Sequence, residues 1–144
     1  KNFYNKNDST YICVENNNKR NIFNNKNIFD LSFYEKMFRN KITNFCYFLK
    51  KNKDKKIVFY GATNGINTLL YFAQKKGNLN LKNIFITDSD KNKWGKYIGS
   101  FSKKINDLKI LKRCEIICIS SLSFRDEIIS NLKKDKPIID LNDI

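Results

Sequence analysis

KKIVFYGATNGINTLL, residues Lys55–Leu70, carries the reading of the fold. A basic lead-in runs into four strand-forming residues, Ile57–Tyr60, then a turn bearing Gly61, then the apolar opening of a helix from about Asn64. Strand, glycine turn and helix in that order form the first β-turn-α unit of a parallel α/β domain. Backbone N–H groups left unpaired at the start of such a helix, together with its dipole, attract phosphate, so this turn is where a nucleotide would sit. Gly61, Ala62, Thr63, Asn64 and Gly65 are the candidate phosphate-facing residues. Counted from Gly61, the dinucleotide fingerprint Gly-x-Gly-x-x-Gly asks for glycine where Thr63 and Ile66 stand, and Gly65 falls one place early. Two readings follow: a nucleotide site of altered shape, or a tight strand-to-helix connection with no ligand.

Downstream of this unit the sequence alternates. A helix over about Asn64–Lys76 stops at Gly77, and LKNIFITDSD supplies a second strand ending at Asp88. A carboxylate at that place accepts hydrogen bonds from a ribose diol, and Asp-Ser-Asp-Lys is equally turn chemistry, so Asp88 and Asp90 carry both readings. The segment Lys91–Ser102, KNKWGKYIGSFS, reads as a loop that could bring Lys93 or Lys96 to phosphate and lay Trp94 or Tyr97 over a base or sugar, or simply pack on the surface. After a short helix or turn near Ile105–Lys112, CEIICISS reads as a strand buried on both faces, with Ser120, Ser121 and Ser123 at its polar end. Ser123 and Asp126 are candidate caps of the next helix, FRDEIISNL, and Pro137–Asp140 is a last short strand. The expected fold is therefore α/β, a Rossmann-like parallel sheet of about four strands with helices on both faces.

Upstream, Leu31–Asn52 reads as a helix, with Ser32 and Glu35 as a capping box and Phe38, Ile42, Phe45, Cys46 and Leu49 as its core stripe. Residues 1–30 are rich in Asn and Lys, contain one strand-like run at Thr10–Val14, and form an expected appendage to a domain spanning residues 31–144. The 144 residues, 41% of them hydrophobic, suffice for one compact core. Met37 is the only methionine and Lys1 the first residue, which suggests an excised piece of a larger parent.

Composition excludes several chemistries. The chain has no histidine, which removes Ser-His-Asp and Cys-His nucleophiles, imidazole acid–base catalysis and His-ligated zinc. Its four cysteines contain no C-x-x-C pair, and Cys114 and Cys118 fall in an apolar run, so no disulfide framework or metal site is expected. The net charge of +14 is spread among asparagines along the whole length rather than gathered on one helix, which reads as a solvated basic surface and not as a nucleic-acid site. With no signal peptide or membrane span visible, a cytoplasmic location is the expectation.

Three segments together resemble the C-terminal Rossmann-like domain of sugar C-methyltransferases. Gly61-Ala62 followed by Asn67-Thr68-Leu69-Leu70 is similar to that family's glycine turn running into an N-T-L-L helix. Asp88 with Lys93, Gly95 and Gly99 is similar to its D-x-x-x-x-K-x-G-x-x-x-G loop, and Phe124–Ile128 to the segment after its third strand. Nucleotide-sugar-modifying proteins of polysaccharide biosynthesis carry a related G-A-turn module. Ile66 departs from the family's glycine, and Ser121 and Ser123 flank Leu122 where a Trp-Asn pair is usual. The resemblance implies a nucleotide-sugar as ligand, no catalytic residue in this piece, and a parent whose upstream domain performs methyl transfer. Expected partners are thus a nucleotide-sugar or other nucleotide, that upstream domain, and a second copy of the chain in a homo-oligomer. Two other classes stand beside this one: an NAD(P)-binding oxidoreductase or dehydratase domain, and a non-catalytic assembly module.

Overall fold

The computed structural model describes residues 31–99, 103–132 and 135–144; the strand-like run Thr10–Val14 and the Asn/Lys-rich segment around it lie outside them. The elements are helix α1 (Leu31–Lys51), β1 (Ile57–Tyr60), α2 (Asn64–Lys75), β2 (Ile84–Thr87), β3 (Tyr97–Ile98), β4 (Lys103–Asn106), β5 (Ile116–Ile119), α3 (Arg125–Asn131) and β6 (Ile138–Asp140). Short 3-10 helices at Lys91–Lys93, Leu108–Arg113 and Leu141–Asp143 complete the connections.

β1 is central because it can be nothing else. All four of its residues are buried, which demands cover on both faces and a neighbour on both edges. It pairs in parallel with β2, Ile57 opposite Ile84, and with β5, Ile57 opposite Ile116. The sheet runs β3-β4-β2-β1-β5-β6, parallel throughout except for β3, which lies antiparallel to β4.

The period-two alternation of strand side chains then sorts the core into two layers. Ile57 and Phe59 of β1, Ile84 and Ile86 of β2, and Ile116 and Cys118 of β5 face α1 and α2. Val58 and Tyr60 face the opposite way with Ile117, Ile119 and Ile128 of α3. Helix α1 supplies Ile42, Phe45 and Leu49 at helical spacing, and Phe45 meets Phe59 with ring centroids 5.6 Å apart. Each such side chain contributes on the order of 1.5–3 kcal/mol when fully buried. The expected stripe holds from Ile42 onward, but Phe38 is exposed and packs only edge-on against the Phe72 ring. The Glu35 carboxylate pairs with Arg39 one turn on.

The sheet has six strands, not four, and the two extra ones lie where the sequence reads loop and helix. Lys103–Asn106, KKIN, has a single apolar residue, Ile105, and its lysines give no strand periodicity. Register comes from outside the segment: Ile105 and Asn106 pair with Ile86 and Thr87, Thr87 Oγ1 donates to the Asn106 carbonyl at 2.9 Å, and Asn106 Nδ2 donates to the Ile86 carbonyl at 3.0 Å. Lysines on a sheet's outermost hairpin also discourage pairing with another chain. Only Leu108–Arg113 of the expected Ile105–Lys112 helix or turn is helical, as a 3-10 segment capped by Asp107. Among the described residues no helix is long and apolar enough to cross a membrane.

Candidate functional site at the carboxyl edge of the sheet

Strand order reverses at β1, since β2 and β4 lie to one side and β5 and β6 to the other. Connections leaving the carboxyl ends of β1 and β5 diverge at such a point and open a crevice. Here the crevice has a volume of about 560 Å³, inside the range of roughly 300–1,000 Å³ usual for small-molecule sites. Gly61, Thr63, Asp88, Asp90, Lys93, Ser121 and Ser123 line it, joined by Tyr60, Ser89, Phe124 and Ile128. Two other hollows, about 580 Å³ between α1 and α2 and about 400 Å³ at the opposite edge of the sheet, lie away from this carboxyl edge.

The β1–α2 turn is held from three directions. Gly61 has φ +115° and its N–H donates to the Thr87 carbonyl at 2.9 Å. The Ala62 N–H donates to Asp88 Oδ2 at 2.8 Å, and Ser120 Oγ donates to the Tyr60 and Gly61 carbonyls at 3.0 and 2.6 Å. Thr63 caps α2, accepting from the Ile66 N–H while its own hydroxyl donates to the Ser120 carbonyl at 3.2 Å. These contacts use up Ala62 and Ser120 as structural ties. The N–H groups of Asn64 and Gly65 keep no acceptor within the described residues, and both residues are exposed at the helix start. A side chain at Gly65 would meet only Thr63 Oγ1, at 3.8 Å, so no packing demand explains this glycine.

Asp88 is buried and fully engaged. Oδ1 accepts from the Asp90 N–H at 2.9 Å, and Oδ2 accepts from the Ala62 N–H and from Lys93 Nζ at 2.9 Å. Burial by itself would raise the carboxyl pKa, but the N–H of Asp90, the Lys93 ammonium and the N–H of Ala62 outweigh it and hold the group below its ordinary value. Asp88 thus clamps the end of β2 to the glycine turn. Asp90 is freer: one oxygen accepts from the Asn92 N–H at 2.9 Å, and the exposed residue lines the crevice. Lys93 stays accessible, its side chain 41% exposed.

Trp94 is not part of the lining. Its indole packs on the core beside α1 and α2, and its N–H donates to the Asp88 carbonyl at 2.8 Å, so the ring braces the β2 end from behind. Ser123 does not cap α3; Phe124 holds the N-cap position and provides no capping hydrogen bond. The Ser121 and Ser123 hydroxyls make no hydrogen bond within the described residues. Of the lining residues the sequence reading omitted, Phe124 has the clearest signal: a lone aromatic in an otherwise polar S-S-L-S-F turn. The segments carrying the resemblance also meet in space, Asp88 with Ala62 and Lys93, and Gly99 against the Asn67 side chain.

No family model matches the chain, and comparisons with curated proteins and with solved structures give no match.

Proposed function

We propose that residues 31–144 form a Rossmann-like module that binds a nucleotide-sugar in this crevice. The single observation that carries the reading is the position of the open α2 N-terminus at the point where strand order reverses. Two exposed backbone N–H groups there, those of Asn64 and Gly65, keep no acceptor within the described residues, and the neighbouring Thr63 and Gly61 line the crevice together with Lys93. Such a start to a helix favours phosphate. Asp90 is the carboxylate suited to a ribose diol, because Asp88 is already committed to its own chain. In this reading the module holds the substrate of a larger, methyltransferase-like protein that modifies sugars for surface glycans, as the resemblance implies. It performs no chemistry alone.

A thermal-shift screen tests the reading, with uridine, thymidine and guanosine diphosphate sugars, NAD(H), NADP(H) and S-adenosylmethionine as ligands. A ligand that binds only the folded state raises the melting temperature by mass action, about 2.7 kcal/mol at a hundred times its Kd. A shift with diphosphate sugars, lost in Asp90→Ala, supports it. A shift with NAD(H) alone makes the domain an oxidoreductase module, and no shift with any nucleotide removes the crevice from consideration.

A further inference from the structure

We propose that Phe124 is the platform on which the sugar ring of the ligand stacks, with the Ser121 and Ser123 hydroxyls reading its hydroxyl groups. The inference rests on the nucleotide-sugar reading and assigns the half of the crevice which that reading leaves empty.

The lining is divided by chemistry. Asp88, Ser89, Asp90 and Lys93 come from the β2 end, whereas Phe124 and Ile128 give apolar side chains on the α3 side, and Tyr60 enters from the end of β1 between them. The glycine turn lies between the two halves, tied to the first by the Ala62–Asp88 hydrogen bond and pressed against Ser121 of the second. With the phosphates assigned to the start of α2 and the ribose to Asp90, Phe124 is the aromatic side chain of the same crevice that is left for the sugar.

Phe124 has no role in the fold that would account for it. The ring is 61% exposed at an N-cap, where Ser, Thr, Asn or Asp would satisfy a backbone N–H and Phe satisfies none. No other described aromatic ring pairs with it. Residues that break local rules without structural return collect at functional sites. Tyr60 and Ile128, which line the same crevice, are 8% and 6% exposed. To either side of Leu122 stand the hydroxyls of Ser121 and Ser123, which can donate and accept. A flat apolar surface rimmed by hydroxyl groups complements a pyranose, whose C–H face is apolar and whose edge carries hydroxyls.

The test is calorimetric titration of the full 144-residue chain and its Phe124→Ala, Phe124→Tyr and Ser123→Ala variants. The probes are a nucleoside diphosphate and the hexose conjugate of the same nucleotide, with NAD(H) titrated in parallel. Wild type should bind the conjugate about tenfold more tightly than the diphosphate. Phe124→Ala should abolish that preference while leaving the diphosphate Kd within about twofold, and Phe124→Tyr should retain it, since only the ring face is used. An unchanged preference in Phe124→Ala, with diphosphate binding intact, overturns the platform and spares the nucleotide site. A preference of wild type for NAD(H) that Phe124→Ala removes gives the ring to a nicotinamide and overturns the sugar assignment. Failure of wild type to bind either probe overturns both readings together.

Discussion

Gly61 and Ser121 are so close that a Cβ on the glycine would stand 2.8 Å from both the Cβ and the backbone nitrogen of the serine. The turn after β1 and the turn after β5 are therefore packed backbone to backbone, and Gly61 also sits at φ +115°, a conformation that L side chains rarely adopt. The glycine that the sequence offers as a ligand contact is first of all a packing requirement. Gly61→Ala should destabilise the domain by about 2 kcal/mol, measured as a lower urea midpoint with unchanged slope. A stability equal to wild type would mean that the two turns separate without cost.

Gly65 makes the opposite case. It is the second residue of α2, its φ is not positive, and an added methyl would find only ordinary contact. Replacing a helical glycine by alanine stabilises by about 0.5–1 kcal/mol. Gly65→Ala should thus raise the unfolding midpoint and at the same time weaken nucleotide binding, because the methyl intrudes where phosphate would approach. A gain in stability with binding unchanged would place the phosphates elsewhere.

Acid should unfold the domain partly through Asp88. Its folded carboxyl lies below the ordinary value of 3.8 because the N–H of Asp90, Lys93 and the N–H of Ala62 overcome the cost of burial. The unfolded state therefore binds this proton more readily. The contribution is complete above the unfolded value and fades as pH falls from there through the folded value. Asp140, lowered despite burial by the Asn142 N–H and by Arg125, acts in the same window. Asp88→Asn should cost about 1–3 kcal/mol at pH 7 and flatten, without abolishing, the loss of stability below about pH 4. Equal acid sensitivity in wild type and variant would remove Asp88 from the clamp. The expected fold cost also means that lost binding in Asp88 variants does not by itself identify a ribose contact, which is why Asp90 is the better probe.

Cys118 is wholly buried in β5, and that burial, with the neighbouring Cys114 adding to it, pushes its thiol up to about 12. The thiolate is the reactive form, so Cys118 should resist alkylation in the native state. Among the described cysteines, Cys46, half-buried on α1, should be modified first. Peptide mapping after labelling across a urea series should show Cys118 reacting only as the domain unfolds globally. Labelling of Cys118 well below the transition would indicate that β5 opens locally.

Much of this arrangement is legible in the sequence because it rests on local patterns. The runs Ile57–Tyr60 and Ile116–Ile119 are apolar enough to name buried strands, and the pattern after the glycine turn names the helix that starts at Asn64. What escapes is information held by neighbours. β4 is a strand because Thr87 Oγ1 donates to the Asn106 carbonyl and Asn106 Nδ2 donates to the Ile86 carbonyl across the sheet, which KKIN does not announce. Trp94 in a lysine-rich loop looks like a ligand contact until the Asp88 carbonyl claims its N–H. Asp88 looks free until Ala62, Asp90 and Lys93 occupy it. Polar residues advertise the same chemistry whether their partner is a ligand or the chain, and only the fold decides between them.

Phe124 separates stability from function most directly. At the N-cap of α3 it leaves a backbone N–H uncapped and keeps a large ring 61% exposed. Serine at that position would accept from the first turn of the helix, and a good cap is worth about 1 kcal/mol over an apolar residue. Phe124→Ser should therefore fold at least as stably as wild type, with an unfolding midpoint equal to or above it, while losing the preference for a hexose conjugate. If the variant instead unfolds markedly earlier, the ring is needed for packing and its exposure is no sign of a ligand. A midpoint that holds or rises while sugar preference disappears would mean that this residue is kept for what it binds, at a small cost to the helix it begins.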